Sequence, residues 1–570
     1  MKKAVLAPVL VTALLLGTSL VPSTDATAAK DESLAQFNAK SSGALKVVYN
    51  KKGAPEFVTG VLSNQGGQDA RAAVDFLDQH KAFFKMKNPK SDLKALKAET
   101  DSLGMTHIRL QQMKNGLPVE NAITIVHIDT AGAVRTVNGD FNTDVDALNL
   151  DTTPLVSADQ AIQSAVAAVD APQLLESDPT SELVVYPFEG QTYVAHKVNV
   201  HFLGEHPGNW SVYVDAKSGQ VIDQFNSIMD LDLHKQLDLK PASASGIGVN
   251  GAHRTLSVSH NNPGKGGTMF YLADYSIKGM DGILTYDFKN QWRSTTVRLP
   301  GELFTSRNAS FHSDYERAAV DAHHSSKIVY DYYLNEHNRN SIDGKGMAII
   351  STVHYGEQYN NAFWDGAQMT YGDGDGSYFI SLAAGLDVAA HEMTHGVTTH
   401  SAGLRYRNQS GALNESYSDI FGALIDSDDW EMGEDIMGAD QKAIGRDALR
   451  SLSNPNRFPV KADYAPYGDG SGMYPKNMSQ FYNLPLSLDS GGVHVNSSIW
   501  NHGAYLIAQE IGQQKLGKIY YHTLTNYLTP DSNFRDARIA TIHSAKELYG
   551  ENSFEVQAVI RGLDAIGITE

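Results

Sequence analysis

The sequence predicts an α+β multidomain protein: mixed helix-and-strand modules first, then a β-rich lobe, then a helical lobe. Three observations carry this. At 570 residues the chain is too long for one core, so two to four domains are expected. Residues 30–239 mix helical spacing with alternating runs, whereas 246–384 are rich in Gly, Tyr, Thr and Val in short alternating runs. After Asp419 the apolar spacing turns mainly helical. A hydrophobic content of 42% with 19% charged residues is that of ordinary globular protein. The net charge of -19 argues against nucleic acid or an anionic membrane as partner, and suits calcium binding and solubility alike.

Residues 1–28 read as an export signal: Lys2 and Lys3, an apolar run from Ala4, and the small residues Ala26-Thr27-Ala28. The run is short and carries Pro8 and Gly17, which opposes its service as a membrane anchor. A soluble, extracellular mature protein is expected. Cysteine is absent, which removes thiolate metal sites and a cysteine nucleophile, and leaves bound calcium as one means of stabilising an exported chain.

Two α+β modules follow, over 29–150 and 151–240. Ala73, Phe76 and Leu77 give Ala70 to Phe83 helical spacing, and Met105 to Asp140 alternates as strands around an Asn115-Gly116 turn. Ser157 is placed to cap a helix from Ala158 to Val169. Strands are expected at Leu183–Tyr186 and Thr192–Phe202, with a hairpin from Trp210 to Asp223 turning at Lys217-Ser218-Gly219. No metal-ligand spacing or nucleophile pattern occurs here. On these residues alone the segment reads as a carbohydrate-binding or adhesion module, or as a foldase-inhibitor removed on maturation. Lys240-Pro241-Ala242-Ser243-Ala244-Ser245 reads as an exposed linker, with a junction near 234–246.

Within the β-rich part a helix from Tyr315 to His337 is expected. Its adjacent His323 and His324 do not share a face and read as polar packing. Asn361-Ala362-Phe363-Trp364 reads as an edge strand able to bind extended peptide. Asp373 and Asp375 lack the terminal glutamate of an EF-hand, so Tyr371 to Gly376 is a Gly-Asp turn.

The chemistry lies in His391-Glu392-Met393-Thr394-His395. Two imidazoles four apart share a helical face and can bind one metal ion, with Glu392 nearby as a non-ligand. A catalytic zinc takes three protein ligands and keeps one position open; Glu415 is a candidate third. Asp419, one turn on, is placed to accept the second ring N–H of a ligating histidine. The acidic run from Asp426 to Asp435 reads as a calcium loop or as a solvated one. His494 is expected in a Gly-rich turn ahead of a helix from Ser498 to Gln509, with Asp489 near enough to orient the ring.

Taken together, His-Glu-x-x-His, the later Asn-Glu-x-x-x-Asp, Asn361-Ala362-Phe363-Trp364, Tyr371 to Gly376 and Gly491 to Ser497 resemble the thermolysin-like (bacillolysin) neutral metalloproteases. The resemblance implies a two-lobe catalytic domain: a β-rich lobe over 241–385, then a zinc helix and helical lobe over 386–570. It implies that 29–150 is a thermolysin/fungalysin-type propeptide and 151–240 a PepSY-like one, acting as intramolecular chaperone and inhibitor. One zinc held by His391, His395 and Glu415 is implied, with Glu392 as general base and Tyr406 and His494 as oxyanion donors. Asn414, Asp419 and Asp489 would orient these groups. Asn361, the Ala362 backbone and Arg450 would hold the peptide, and Phe379, Leu382, Val388, Ile436 and Leu449 would line the pocket after the cut. One or two calcium ions are implied at Asp387, Asp426, Asp429, Glu431 and Glu434.

The sequence also departs from the family. The acidic loop is shorter than in the type member, no carboxylate remains in Ser306 to Ser310, and Ala384-Gly385 stands where the family has two glycines. The expected activity is that of a monomeric secreted endopeptidase, made as a zymogen and cutting proteins before bulky hydrophobic residues. Two alternatives stay open. A zinc aminopeptidase would need a Gly-x-Met-Glu-Asn element, which is absent. A secreted zinc-binding or adhesion protein would leave Glu392, Tyr406 and His494 without a purpose.

Overall fold

The computed structural model describes residues 34, 37 and 45–569, apart from 65, 174, 176, 203–207, 227–238, 262–267 and 295–296. The export signal at 1–28 and the first part of the expected junction, 234–238, lie outside the described residues. The chain forms two compact units, one of residues 1–109 and 126–138, the other of 110–125 and 139–570. The boundaries expected at 150/151 and 240/241 both fall inside the second unit.

In the first unit the helix Ala70–Gln79 is capped by the Asp69 carboxylate, which accepts from the Ala72 N–H at 2.8 Å. It buries Ala73, Phe76 and Leu77. The helical spacing expected to reach Phe83 is interrupted at His80, and a single further turn, Lys81–Phe84, stops where Lys85 turns left-handed. Phe83 stacks on Phe37 at 4.2 Å.

The second unit contains an antiparallel meander of four strands, Thr180–Phe188, Gln191–Phe202, Gly208–Asp215 and Val221–Asn226. The helix Ala158–Ala168, started by a Ser157/Gln160 capping box, covers one face through Ala161 and Ala165 against Val198, Val200, Val212 and Val214. The other face carries Val184, Tyr186, Ala195 and Tyr213, with the two tyrosine rings stacked at 3.9 Å.

The expected linker is a strand. Leu239–Ile247 pairs antiparallel along its length with His253–Asn261. Just past the run that suggested a linker, the strand lies close against the helix Arg317–His337: a Cβ on Gly246 would come within 2.6 Å of Val320 Cγ2. On that helix His323 bridges the Thr285 hydroxyl (3.0 Å) and the Ser257 carbonyl (2.8 Å), which is polar packing. Ala362–Trp364 closes the edge of the sheet that contains the fully buried strand Ile349–Tyr355. Asp375 accepts from the Ser377 and Tyr378 N–H groups, and Asp373 binds His354 and Asn290, so both carboxylates serve the turn.

The helical lobe is built on Asn408–Ile425 and Asp489–Ile511, followed by Gln513–Asn526, Phe534–Tyr549 and Phe554–Ala565. Helix Asn408–Ile425 is buried along most of its length and packs on Leu386–Thr399 on one side and Asp489–Ile511 on the other. Gly411 permits the second contact, since a Cβ there would stand 2.4 Å from Val493 Cγ1.

Candidate active site

Helix Leu386–Thr399 carries His391 and His395 on one face, and the neighbouring helix Asn408–Ile425 brings Glu415 to meet them. The two Nε2 atoms are 3.0 Å apart; Glu415 Oε2 is 3.6 Å from that of His391 and Oε1 is 3.4 Å from that of His395. Each ring is held from behind. His391 Nδ1 lies 2.9 Å from Asp419 Oδ1, and His395 Nδ1 lies 2.8 Å from Asn414 Oδ1, whose amide donates to the Leu404 carbonyl.

The His395 Nδ1 bond to Asn414 and the 2.9 Å approach of Asp419 Oδ1 to His391 Nδ1 leave both Nε2 atoms facing inward. Two ring nitrogens and a buried carboxylate then face one another, and Glu415 Oε2 has no hydrogen-bond partner. Such a trio fits a borderline divalent cation that takes nitrogen and oxygen ligands, and zinc above all. Burial opposes charge on His395, but the hydrogen bond and charge of Glu415 raise its pKa overall.

Tyr406 and His494 flank the trio. The Tyr406 hydroxyl lies 3.0 Å from His494 Nε2 and donates to Glu415. His494 is not in the turn expected for it but in the first regular turn of its helix. Ser490, Gly491 and Gly492 take left-handed angles, and helical geometry starts at Val493. Asp489 Oδ2 caps that start by accepting from the N–H groups of His494 and Val495, while Oδ1 lies 2.5 Å from His494 Nδ1. Partial desolvation opposes charge on His494, whose ring is about half exposed (47%), yet the carboxylates of Glu415 and Asp489 outweigh it and raise the pKa to about 9. Glu392, between the two histidines in sequence, lines the same cleft of about 930 Å³.

Comparison with known proteins agrees with this geometry. Residues 243–399 match the family described as thermolysin metallopeptidase, catalytic domain, and residues 402–568 its alpha-helical domain. Residues 91–141 match the fungalysin/thermolysin propeptide motif. Bacillolysin of Brevibacillus brevis is 40% identical over 545 residues, covering 92% of this chain and 94% of that protein. The thermostable neutral protease NprT of Geobacillus stearothermophilus is 39% identical over 550 residues, at 92% and 94% coverage. Thermolysin of Alicyclobacillus acidocaldarius subsp. acidocaldarius is 39% identical over 541 residues, at 90% and 93%. The chain belongs to the thermolysin family.

As a thermolysin-family metalloendopeptidase, it places every substrate-side residue expected from sequence on the cleft. Asn361, Ala362, Phe379, Leu382, Val388, Ile436, Leu449 and Arg450 all line it. Arg450 is held by a two-pronged bond to Asp419, at 2.9 Å from Nε and 2.7 Å from Nη2. The carboxylate that orients His391 therefore also orients Arg450.

Of the five residues expected to bind calcium, the structure gathers three. Asp387, Asp426 and Glu434 bring oxygens within 4.8 Å of one another. Burial and neighbouring carboxylates push their pKa values up, to about 7 for Asp387, about 6 for Asp426 and about 8 for Glu434. Glu434 Oε2 is buried without a hydrogen-bond partner, so the group fits a hard cation with oxygen ligands. Glu431 instead accepts from Ser451 at 2.8 Å and pairs with Arg457 at 3.3 Å, and Asp429 accepts from the Glu431 N–H. Arg457 also pairs with Asp447. With those bonds Asp429 and Glu431 stand outside the group of three, although Glu431 Oε2 is also buried without a hydrogen-bond partner.

Sequence reasoning missed two features. Glu120, Asn121, Lys197, Phe225 and Asn226, all from the amino-terminal part of the chain, also line the cleft. Beside it Asp223 pairs with Arg407 at 2.5 Å, Tyr186 bonds to both, and Arg407 lies over the Phe225 ring. Partners so distant in sequence leave no local signal. The second feature is Asn501, seven residues after His494 on the same helix. Its signal was a polar residue between the buried Ile499, Trp500 and Ala504.

Proposed function

We propose that the chain is the zymogen of a secreted zinc endopeptidase that cuts proteins before bulky hydrophobic residues. The observation that carries this is the convergence of His391, His395 and Glu415 on one point of a cleft that also holds Glu392, Tyr406, His494 and an apolar pocket. Zinc bound there would supply Lewis acidity, polarising the scissile carbonyl and acidifying a water molecule. Glu392 takes the proton from the attacking water and delivers it to the departing amine. Tyr406 and His494 donate to the oxygen on which negative charge develops, where one fixed donor is worth ~3 kcal/mol. The edge strand Ala362–Trp364 pairs with extended substrate, Arg450 holds a carbonyl beyond the cut, and Phe379, Leu382, Val388, Ile436 and Leu449 receive the side chain that follows.

The amino-terminal part acts as inhibitor in this reading. Its residues wall one side of the cleft where substrate would lie, and the buried Asp223–Arg407 pair anchors it next to Tyr406. One calcium ion is assigned to Asp387, Asp426 and Glu434. Export is supported by the charged, apolar and small-residue pattern of the first 28 residues.

The test is hydrolysis of an end-blocked peptide by the purified protein, with and without a zinc chelator, then zinc re-addition and a mass measurement of the active chain. Chelator-sensitive cleavage before Leu or Phe, restored by zinc, on a chain lacking the amino-terminal part is expected. A processed, zinc-loaded chain that leaves the blocked peptide intact would return the protein to the binding-protein reading.

A further inference from the structure

We infer that Asn501, with Ser416, is a positioning residue that controls both the metal and the substrate sides of the site through Asp419; the inference rests on the function proposed above. Asp419 is fully buried and surrounded by donors. Its Oδ1 faces His391 Nδ1 (2.9 Å) and Arg450 Nη2 (2.7 Å); its Oδ2 accepts from Arg450 Nε (2.9 Å) and from Asn501 Nδ2 (2.8 Å). Three of these donor atoms belong to groups with work elsewhere: His391 to the metal, Arg450 to the peptide. Asn501 reaches neither, and is the support that ties the carboxylate to the helix Asp489–Ile511.

The chemistry at position 501 is restrictive. Asp419 only accepts, so the amide must turn its NH2 toward it and its carbonyl away. The Ser416 hydroxyl, 2.5 Å from Asn501 Oδ1, donates to that carbonyl and holds the amide in this orientation. Asn501 is 1% exposed and Ser416 is fully buried, so water cannot replace either bond. Ser416 sits beside Glu415 on the helix that supplies it, and Asn501 lies two turns beyond His494 on the helix that supplies that residue. The Ser416–Asn501–Asp419 chain therefore fixes the two helices against each other at the depth of the metal trio. Loosening Asp419 would loosen the ring of His391 and the guanidinium of Arg450 together.

The test compares the zinc-loaded, processed enzyme with Asn501→Ala, Asn501→Asp and Ser416→Ala. Zinc release into a chelator and the KM and kcat for an end-blocked peptide are measured, with thermal midpoint as the folding control. Asn501→Ala is expected to release zinc about tenfold faster or more, the effect usual for loss of a support behind a metal ligand. It also raises KM through Arg450. Asn501→Asp, which sets a second carboxylate against Asp419, exceeds it, and Ser416→Ala moves both quantities the same way by less. Zinc release and KM equal to the parent's in Asn501→Ala or, if that variant does not fold, in Ser416→Ala would overturn the inference, whatever happens to the midpoint. The parent's own zinc binding and turnover report separately on the proposed function.

Discussion

Glu392 is the residue whose assignment is most exposed to test, because it lines the cleft without being one of the three groups that meet at the metal point. Glu392→Gln keeps the shape and removes the base. The expected outcome is a kcat lower by about 10²–10⁴ with zinc content unchanged, measured on a blocked peptide and by metal analysis. Parent-level turnover would remove Glu392 from the role. Tyr406→Phe deletes a donor rather than a base, so kcat is expected to fall by about 10²-fold with KM little changed, as suits a contact made only in the transition state. His391, His395 and Glu392 were legible in the sequence because their geometry is local: four residues apart on a helix means one face. Asp419 was legible for the same reason, one turn from Glu415, whereas the roles of Tyr406 and Asn414 came only through the family resemblance. Asn501 and Asp223 were not, since what they do depends on which helix or strand lies opposite, and only packing decides that.

At the scale of elements, helix signals held where a capping residue and an apolar stripe coincided. Ser157 opens its helix with both halves of a capping box, and Arg317–His337 ends at the left-handed Asn338. Signals failed where small residues were read as an exposed linker. In Lys240 to Ser245 the backbone bonds to its neighbour strand whatever the side chains, and the next residue, Gly246, has no room for a Cβ against Val320. The strand Val221–Asn226 carries the strongest prediction at this scale. Its Asp223 places a carboxylate against Arg407, and both side chains are nearly buried. Removing one member of such a pair leaves the other charged and desolvated, at a cost of about 3–5 kcal/mol. Asp223→Ala is therefore expected to shorten the lifetime of the unprocessed chain, followed by mass spectrometry of the purified precursor over time. An unchanged lifetime would show that Arg407 is not the point at which the amino-terminal part holds the catalytic lobe.

For the whole molecule, the calcium site proposed at Asp387, Asp426 and Glu434 is expected to couple stability to both calcium and pH. The three carboxylates come from different stretches of chain: the metal-binding helix, the end of the Glu415 helix and the loop after it. An ion held among them ties these stretches together. Without the ion, burial and mutual repulsion raise their pKa values to about 7, 6 and 8. In the unfolded chain they return to about 4. Between those limits the folded protein binds more protons than the unfolded one, so stability falls as pH rises. The calcium-free protein is therefore expected to lose stability progressively from about pH 4 to about pH 8. Saturating calcium removes that slope, because the ion replaces the protons. The measurement is the thermal midpoint against pH, with and without a calcium chelator, in the zinc-loaded Glu392→Gln form so that self-digestion does not interfere. In Asp387→Asn the repulsion is relieved at its centre, and the calcium-free slope should flatten while the gain from calcium shrinks. Parallel profiles with and without calcium would mean that these carboxylates do not hold the ion, and that the acidic loop is a solvated one after all.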